Sequence, residues 1–207
     1  MRKLAILVSS IGLTAGMVNG QNLLLNGDFN SPNTVSAPDN WSVWSWGSGW
    51  ANHQNDGSSF DGSYYMAVGA TDWGSGGGGV YQTVAGITAG VSYDLTVEAG
   101  AQAWWKPVGY MTMFWLDGTG AQISQSQLQV INPSDYNIGA PWANYSLTAE
   151  APAGAAQVKV EFANYDGQGT VWYDNATLTM VPEPGTLALA GLGAALLGVY
   201  SRRNRRS

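Results

Sequence analysis

The chain has no cysteine and a single histidine, His53. The first absence excludes disulfides, thiol catalysis and Cys-ligated metals, so the fold must be stable without cross-links. The second excludes a zinc centre built on two or three histidines and leaves a Ser-His-Asp triad only one residue to use. His53 lies in Asn52-His53-Gln54-Asn55-Asp56-Gly57, a loop composition, and is expected to be an exposed loop histidine. Basic side chains are scarce as well. Between residues 21 and 181 only Lys106 and Lys159 oppose 13 acids, a formal −11 against −6 for the whole chain. Such a body repels phosphate backbones and anionic lipid, which excludes nucleic acid as a partner. Neutral sugars, or a cation such as Ca²⁺, suit it better. No window carries a convincing helical period. A phosphate loop is missing too: Trp73-Gly74-Ser75-Gly76-Gly77-Gly78-Gly79 has no Gly-Lys-Ser/Thr ending and no helix behind it. That glycine run is expected to be a flexible connection between strands. Finally, the longest C-terminal apolar run, Leu187 to Tyr200, has 14 residues, short of the ~20 that a stable spanning helix needs.

What is present is concentrated first at the two ends. Met1-Arg2-Lys3 is a positive n-region, and Leu4 to Leu13 an apolar stretch broken only by Ser9, Ser10 and Gly12. Val18-Asn19-Gly20 then offers small residues where a signal peptidase reads. Residues 1–20 are therefore expected to be a signal peptide cleaved before Gln21. At the other end Val181-Pro182-Glu183-Pro184-Gly185 precedes the apolar run, and four of the chain's eight basic residues, Arg202, Arg203, Arg205 and Arg206, follow it. A breaker, a short apolar stretch weakened by Gly191, Gly193 and Gly198, and a basic stop describe a temporary anchor. Its arginines stay on the cytoplasmic side by the positive-inside rule.

The Val181, Pro182, Glu183, Pro184 motif, the apolar run and the Arg-rich tail resemble the PEP-CTERM sorting signal of Gram-negative bacteria that make extracellular polysaccharide. The resemblance covers residues 181–207. It implies a short transmembrane sorting helix, processing by an exosortase, and release to the cell surface or matrix.

Between the ends lie about 160 residues, enough for one domain with its own core over 21–180. Tyr93, Leu95, Val97 and Ala99 alternate with Asp94, Thr96 and Glu98, as in a half-buried strand. Further strand candidates are Leu23 to Phe29, Ser63 to Val68, Val80 to Val84, Tyr110 to Leu116 and Ile123 to Ile131. Trp142 to Thr148, Gln157 to Ala163 and Thr170 to Met180 complete the series. Short strands with Gly, Pro, Asn and Asp at the turns argue for an all-β antiparallel sandwich. All ten tryptophans lie in this body. Each indole is large and carries an N–H to satisfy, so burying all ten is hard. Flat aromatics left at the surface are natural partners for sugar rings.

The body is similar to carbohydrate-binding modules of the CenC-like, family 4/9 type. The landmarks are Asn22 to Phe29, then Trp41, then Tyr81 to Val84 with Ala89 to Tyr93, then Ala151 to Ala155 and Val171 to Ala176. The resemblance implies a jelly roll of the galactose-binding-like kind. It also implies a structural Ca²⁺ held by Asp28, the carbonyl of Gly62 and Asp174, with Asn30 where the family often has Glu. The plain alternative makes Asp28 and Asp61 turn acids and gives Asp174 a hydrogen bond in its strand.

Trp41 matches the family's buried strand tryptophan and is assigned to the core. Trp44 stands where the resemblance implies a ligand-contacting aromatic; Trp46 and Trp50 fall in a Gly/Ser-rich segment with little to bury them and Trp73, Trp104 and Trp105 in expected loops, and these six are the candidate sugar platform. Asn52, Gln54 and Asp72 are candidates for orienting hydroxyls; Phe114 and Tyr165 are weaker aromatic candidates. The alternative is that these rings only cover the ends of the sandwich. Glu98, Glu150 and Glu161 are scattered and form no evident pair of the kind glycoside hydrolysis requires. The reading that results is an exported, non-catalytic polysaccharide-binding protein. Its rivals are a matrix spacer without a sugar site and a glycoside-acting enzyme.

Overall fold

Tertiary structure comes from a computed structural model, which describes residues 20–31, 37–102, 105–132 and 140–182. The expected signal peptide, the sorting helix, Trp104, Glu183 and Pro184 lie outside the described residues. Gly20–Val181 is one compact unit. It contains β1 Ser42–Gly47, β2 Gly49–Gln54, β3 Tyr65–Ala70, β4 Gly76–Ala85, β5 Ser92–Ala101, β6 Gly109–Leu116, β7 Gln122–Ile131, β8 Ala143–Glu150, β9 Gln157–Tyr165 and β10 Gly169–Met180. They pair antiparallel into two five-stranded sheets. The front sheet has the order β1-β4-β9-β6-β7 and the back sheet β2-β3-β10-β5-β8. Neighbours in a sheet are thus mostly distant in sequence, as in the jelly roll the sequence suggests. Among the described residues no helix is long and apolar enough to cross a membrane.

Alternation along each strand sends one set of side chains inward. Val158, Val160 and Phe162 of β9, Met111, Met113 and Trp115 of β6, and Leu95 and Val97 of β5 meet in the core. Tyr173 of β10 is wholly buried, and its hydroxyl donates to the carbonyls of Ala163 at 2.9 Å and Tyr110 at 3.1 Å, tying the back sheet to the front. Trp41 is in the core, as expected; its ring lies 5.0 Å from Phe29 and its indole N–H is held by the carbonyls of Leu25 and Asn26.

Three expectations are corrected. Residues 76–79 are not a flexible connection but the first four residues of β4, all paired with β1 and, from Gly77 on, with β9 as well. Glycine is needed there for close approach. A Cβ on Gly79 would stand 2.7 Å from the Trp44 ring, and one on Gly77 2.9 Å from the indole nitrogen of Trp46. His53 is not an exposed loop residue: it lies in β2, is buried, packs 4.8 Å from the Tyr64 ring, and its Nε2 is 2.6 Å from the carbonyl of Phe29. Leu23 to Phe29 forms no strand, because Asn26 and Phe29 take φ of +52° and +53°, which breaks an extended run. The segment is instead fastened by Leu23 N–H to Leu178 O at 2.8 Å.

Candidate ligand-binding face

The outer face of the front sheet gathers the side chains that the core does not take. One row across the strands reads Trp44, Gly79, Ala163 and Tyr110; the next reads Ser42, Tyr81, Glu161 and Thr112. Gly79 and Ala163 form a low floor, and the Trp44 indole lies over the glycine. Trp44 stacks on Tyr165 with centroids 5.4 Å apart and planes 27° apart, and Tyr165 meets Tyr110 at 5.7 Å.

Glu161 is the polar centre of this face. Its side chain is almost wholly buried, which is costly for a carboxylate unless it is paired. It accepts the Trp44 indole N–H at 3.1 Å and the Lys159 ammonium at 3.1 Å, and it takes a short hydrogen bond from the Tyr165 hydroxyl. Burial, then Glu161's hydrogen bond and charge, push the Tyr165 phenol well above its usual range, so it stays protonated and donating. Lys159 is held over the Phe114 ring at 4.1 Å and near Tyr81 at 5.3 Å, cation–π geometry that orients the ammonium. Beyond it Gln127 donates to Thr112 Oγ1 at 3.0 Å, and Gln125 and Gln129 stand on the exposed edge strand β7. The result is a flat aromatic patch with fixed donors and acceptors beside it. Chemically this suits a ring with one apolar face and a rim of hydroxyls.

The expected tryptophans do not converge. Trp44 and Trp46 are neighbours on this face, and Trp46 is 48% exposed. Trp50 lies on the opposite side of the molecule: its ring sits over Gly69 of β3, with 2.8 Å to a Cβ built there. Trp73, 53% exposed, is in the turn before β4. Trp105, also exposed, packs against Gly169 at the start of β10. Asn52 and Gln54 are on β2 of the back sheet, and Asp72 is in the turn with Trp73. The sequence reading left Tyr81, Tyr110, Lys159 and Glu161 out of the platform. Period-two alternation of Lys159, Glu161 and Tyr165 against Val158, Val160 and Phe162 carried part of the signal. Phe114 and Tyr165, the weaker aromatic candidates, are both on the face.

At the start of the domain the acids expected to hold a cation divide between two roles. Asp28 Oδ1 accepts the Asn30 N–H at 3.4 Å and Asp61 Oδ1 the Ser63 N–H at 2.9 Å, both as turn acceptors. Asp174 is fully buried where β10 bulges between Asp174 and Thr177. Its Oδ1 accepts the Asn175 N–H at 2.8 Å, while its Oδ2 is buried without a hydrogen-bond partner. Burial pushes this carboxyl up to about 7; the backbone N–H groups of Asn175 and Phe60 offset part of that, and the charges of Asp61 and Asp28 add to it. Among the described residues no three His, Cys, Asp or Glu side chains close up as a metal-holding group. A cation here would need backbone oxygens as well, as calcium commonly does. The orphaned Asp174 oxygen fits such a ligand.

The fold is shared with solved proteins. An enzymatically active domain of bacteriophage CBA120 tailspike protein 4 aligns with a TM-score of 0.61 at 16% identity, over 77% of this chain but only 21% of that one. The CBM22-1 xylan-binding domain of Paenibacillus barcinonensis Xyn10C aligns with a TM-score of 0.56 at 12% identity, over 79% of this chain and 97% of the other. A family 4 carbohydrate-binding module aligns at 0.50 and 17%, over 76% and 99%. The body therefore has the jelly-roll architecture of carbohydrate-binding modules. Residues 181–206 match the PEP-CTERM protein-sorting motif, so the chain carries the sorting signal that its C-terminal pattern suggests. That motif implies export and exosortase processing. No curated protein matches the sequence.

Proposed function

We propose that this chain is an exported, non-catalytic polysaccharide-binding protein whose site is the outer face of the front sheet. The observation that carries the reading is Trp44. It lies flat on a glycine floor, stacked on Tyr165, with its N–H fixed on a buried, ion-paired Glu161. A ring that only covered the sandwich would not need a buried charge to orient it. Stacking supplies affinity, Lys159 and Gln127 select hydroxyl positions, and the buried Glu161 holds Trp44, Lys159 and Tyr165 in place. The non-catalytic reading is supported by the placement of the glutamates. Glu98 and Glu150 are on β5 and β8 of the back sheet, away from Glu161, so these three do not flank one bond.

The same reading takes the signal peptide as cleaved before Gln21 by signal peptidase. The segment 187–200 anchors the chain in the membrane for a time, and exosortase then releases the body to the cell surface or extracellular matrix. Asp28, the Gly62 carbonyl and Asp174 hold a structural Ca²⁺; Asp174's unpartnered buried oxygen supports that assignment. The ion would neutralise a buried charge and fasten the opening segment to β10.

Affinity electrophoresis of the full-length chain through gels of xylan, β-glucan or galactan, with and without Ca²⁺, tests the function. Retardation by at least one gel, weakened about tenfold or more by Trp44→Ala, is expected for a ring at the centre of a binding patch. Free migration in all gels would leave the matrix-spacer reading standing instead. Release of reducing sugar, lost on Glu161→Gln, would make the protein an enzyme.

A further inference from the structure

The outer face of the back sheet repeats the construction of the front one. Trp50 lies over Gly69, as Trp44 lies over Gly79. In the next row Trp172 of β10 stands between Ala67 of β3 and Gly100 of β5. Trp142 comes beside it across Gly100, whose built Cβ would meet the Trp142 ring at 3.4 Å. The Trp142 and Trp172 rings are 6.0 Å apart with planes 31° apart. Phe60, 48% exposed, sets its edge against Trp142 at 6.2 Å. Trp142 donates its indole N–H to the carbonyl of Ser58 at 2.9 Å, which fixes the ring. None of these rings belongs to the core cluster; they are partly or largely exposed. Removing Cβ atoms from beneath indoles weakens a strand. On the back face Gly69 seats the Trp50 indole, although the Gly169 carbonyl 2.5 Å from a built Cβ also requires glycine there, and Gly100 leaves room for Trp142 at ordinary contact distance.

We propose that this back face is a second glycan-binding surface, which makes the domain bivalent. The proposal rests on the sugar-binding reading of the front face. The occupant follows from the chemistry beside the rings. On β5 and β8 the outward positions are Asp94, Glu98, Ser146 and Thr148, with Asn144 donating to Glu98 at 3.1 Å and both Ser146 and Thr148 donating to Asp94. Carboxylates and hydroxyls next to flat aromatics accept and orient hydroxyl groups and repel anions, so the ligand is a neutral polysaccharide. A second copy of the chain is disfavoured, because its own back face would bring the same carboxylates into contact. The two faces lie on opposite sides of a sandwich whose sheets pack ~10 Å apart, so one stretch of glycan does not reach both. Two chains are engaged, and the protein cross-links them. Binding in such a network gains from multivalency without further contacts.

The full-length chain, Trp44→Ala, Trp172→Ala, Phe60→Ala and the Trp44/Trp172 double variant are compared by affinity electrophoresis in a neutral polysaccharide gel that retards the wild type. Alginate gels serve as the anionic control. Turbidity of the soluble polysaccharide reads cross-linking. Phe60→Ala guards against a folding defect in Trp172→Ala, since Phe60 is exposed on its loop. The expected result is residual retardation in Trp44→Ala, its loss in the double variant, and turbidity with the wild type that neither Trp44→Ala nor Trp172→Ala produces. Weakening by Phe60→Ala of about fivefold is expected for a peripheral aromatic. Three results would overturn the inference. If Trp44→Ala abolishes retardation while Trp172→Ala and Phe60→Ala behave as wild type, the back face is inert and the front site stands. Sugar-free self-association that Phe60→Ala abolishes would make the face a dimer contact. A wild type retarded by no neutral gel takes down both readings together.

Discussion

Replacing Asp174 by asparagine should stabilise the cation-free protein near neutral pH, although the side chain is completely buried. Asp174 has a carboxyl raised from an ordinary 3.8 to about 7, chiefly by burial. The folded chain therefore holds this proton more tightly than the unfolded chain does. Measured against its low-pH value, stability is intact below about pH 4, falls as pH rises through about 7, and then levels off. At ~1.4 kcal/mol per pH unit, that gap amounts to about 4 kcal/mol. Asparagine is neutral in both states and keeps an acceptor for the Asn175 N–H, so its curve lacks this fall. For a domain of this size 4 kcal/mol corresponds to roughly 10 °C in Tm. The assay is urea unfolding of the full-length chain and of Asp174→Asn, followed by tryptophan fluorescence from about pH 4 to pH 8 in EDTA. The difference between the two curves removes the contribution of every other titrating group. The variant should be the more stable at pH 8 and lose that advantage at pH 4. Excess CaCl₂ should reverse the order at pH 8, because a cation needs the ionised carboxylate. Parallel curves in EDTA would refute the electrostatic argument; an EDTA result as expected with no calcium response would refute only the ion.

The remaining predictions use other parts of the molecule. Gly79→Ala should displace the Trp44 indole, weakening polysaccharide retardation about tenfold or more while the near-ultraviolet spectrum of the core changes little. Glu161→Gln should lower stability by about 1–3 kcal/mol in thermal unfolding, because Lys159 loses its partner and two donors lose a charged acceptor. Tyr173→Phe should cost about 1 kcal/mol by the same measurement, through the carbonyls of Ala163 and Tyr110. Alanine at Pro182, Glu183 and Pro184 should leave unprocessed chain in the membrane fraction, seen as a larger band on an immunoblot; normal release would refute the role of the motif.

Linear signals were legible and spatial ones were not. The sorting motif was readable because its breaker, apolar run and arginines act in chain order, and residues 181–206 match it. The sandwich was readable because alternation such as Tyr93 to Ala99 reports one buried face per strand. Trp41 in the core followed from the resemblance. The glycine run misled, because four glycines alone describe a loop; what makes them necessary is the close approach of the Ser48–Trp50 backbone to Gly76 and Gly78 and of the Trp46 and Trp44 indoles to Gly77 and Gly79. His53 misled in the same way. Its neighbours are polar, but one alternate position of β2 faces inward against Tyr64 and Phe29.

The candidate site divides along the same line. From the sequence alone came the surplus of aromatics, the acidic body and the export address, since composition and order need no coordinates. Which rings share a surface was decided by tertiary structure. Trp44 and Glu161 are 117 residues apart and meet only because β4 lies between β1 and β9. Trp46 and Trp50 are four residues apart, yet they end on opposite faces because the chain crosses from one sheet to the other between them. Strand pairing over long separations is fixed by how two apolar faces close on each other, and that choice is made by the whole chain at once.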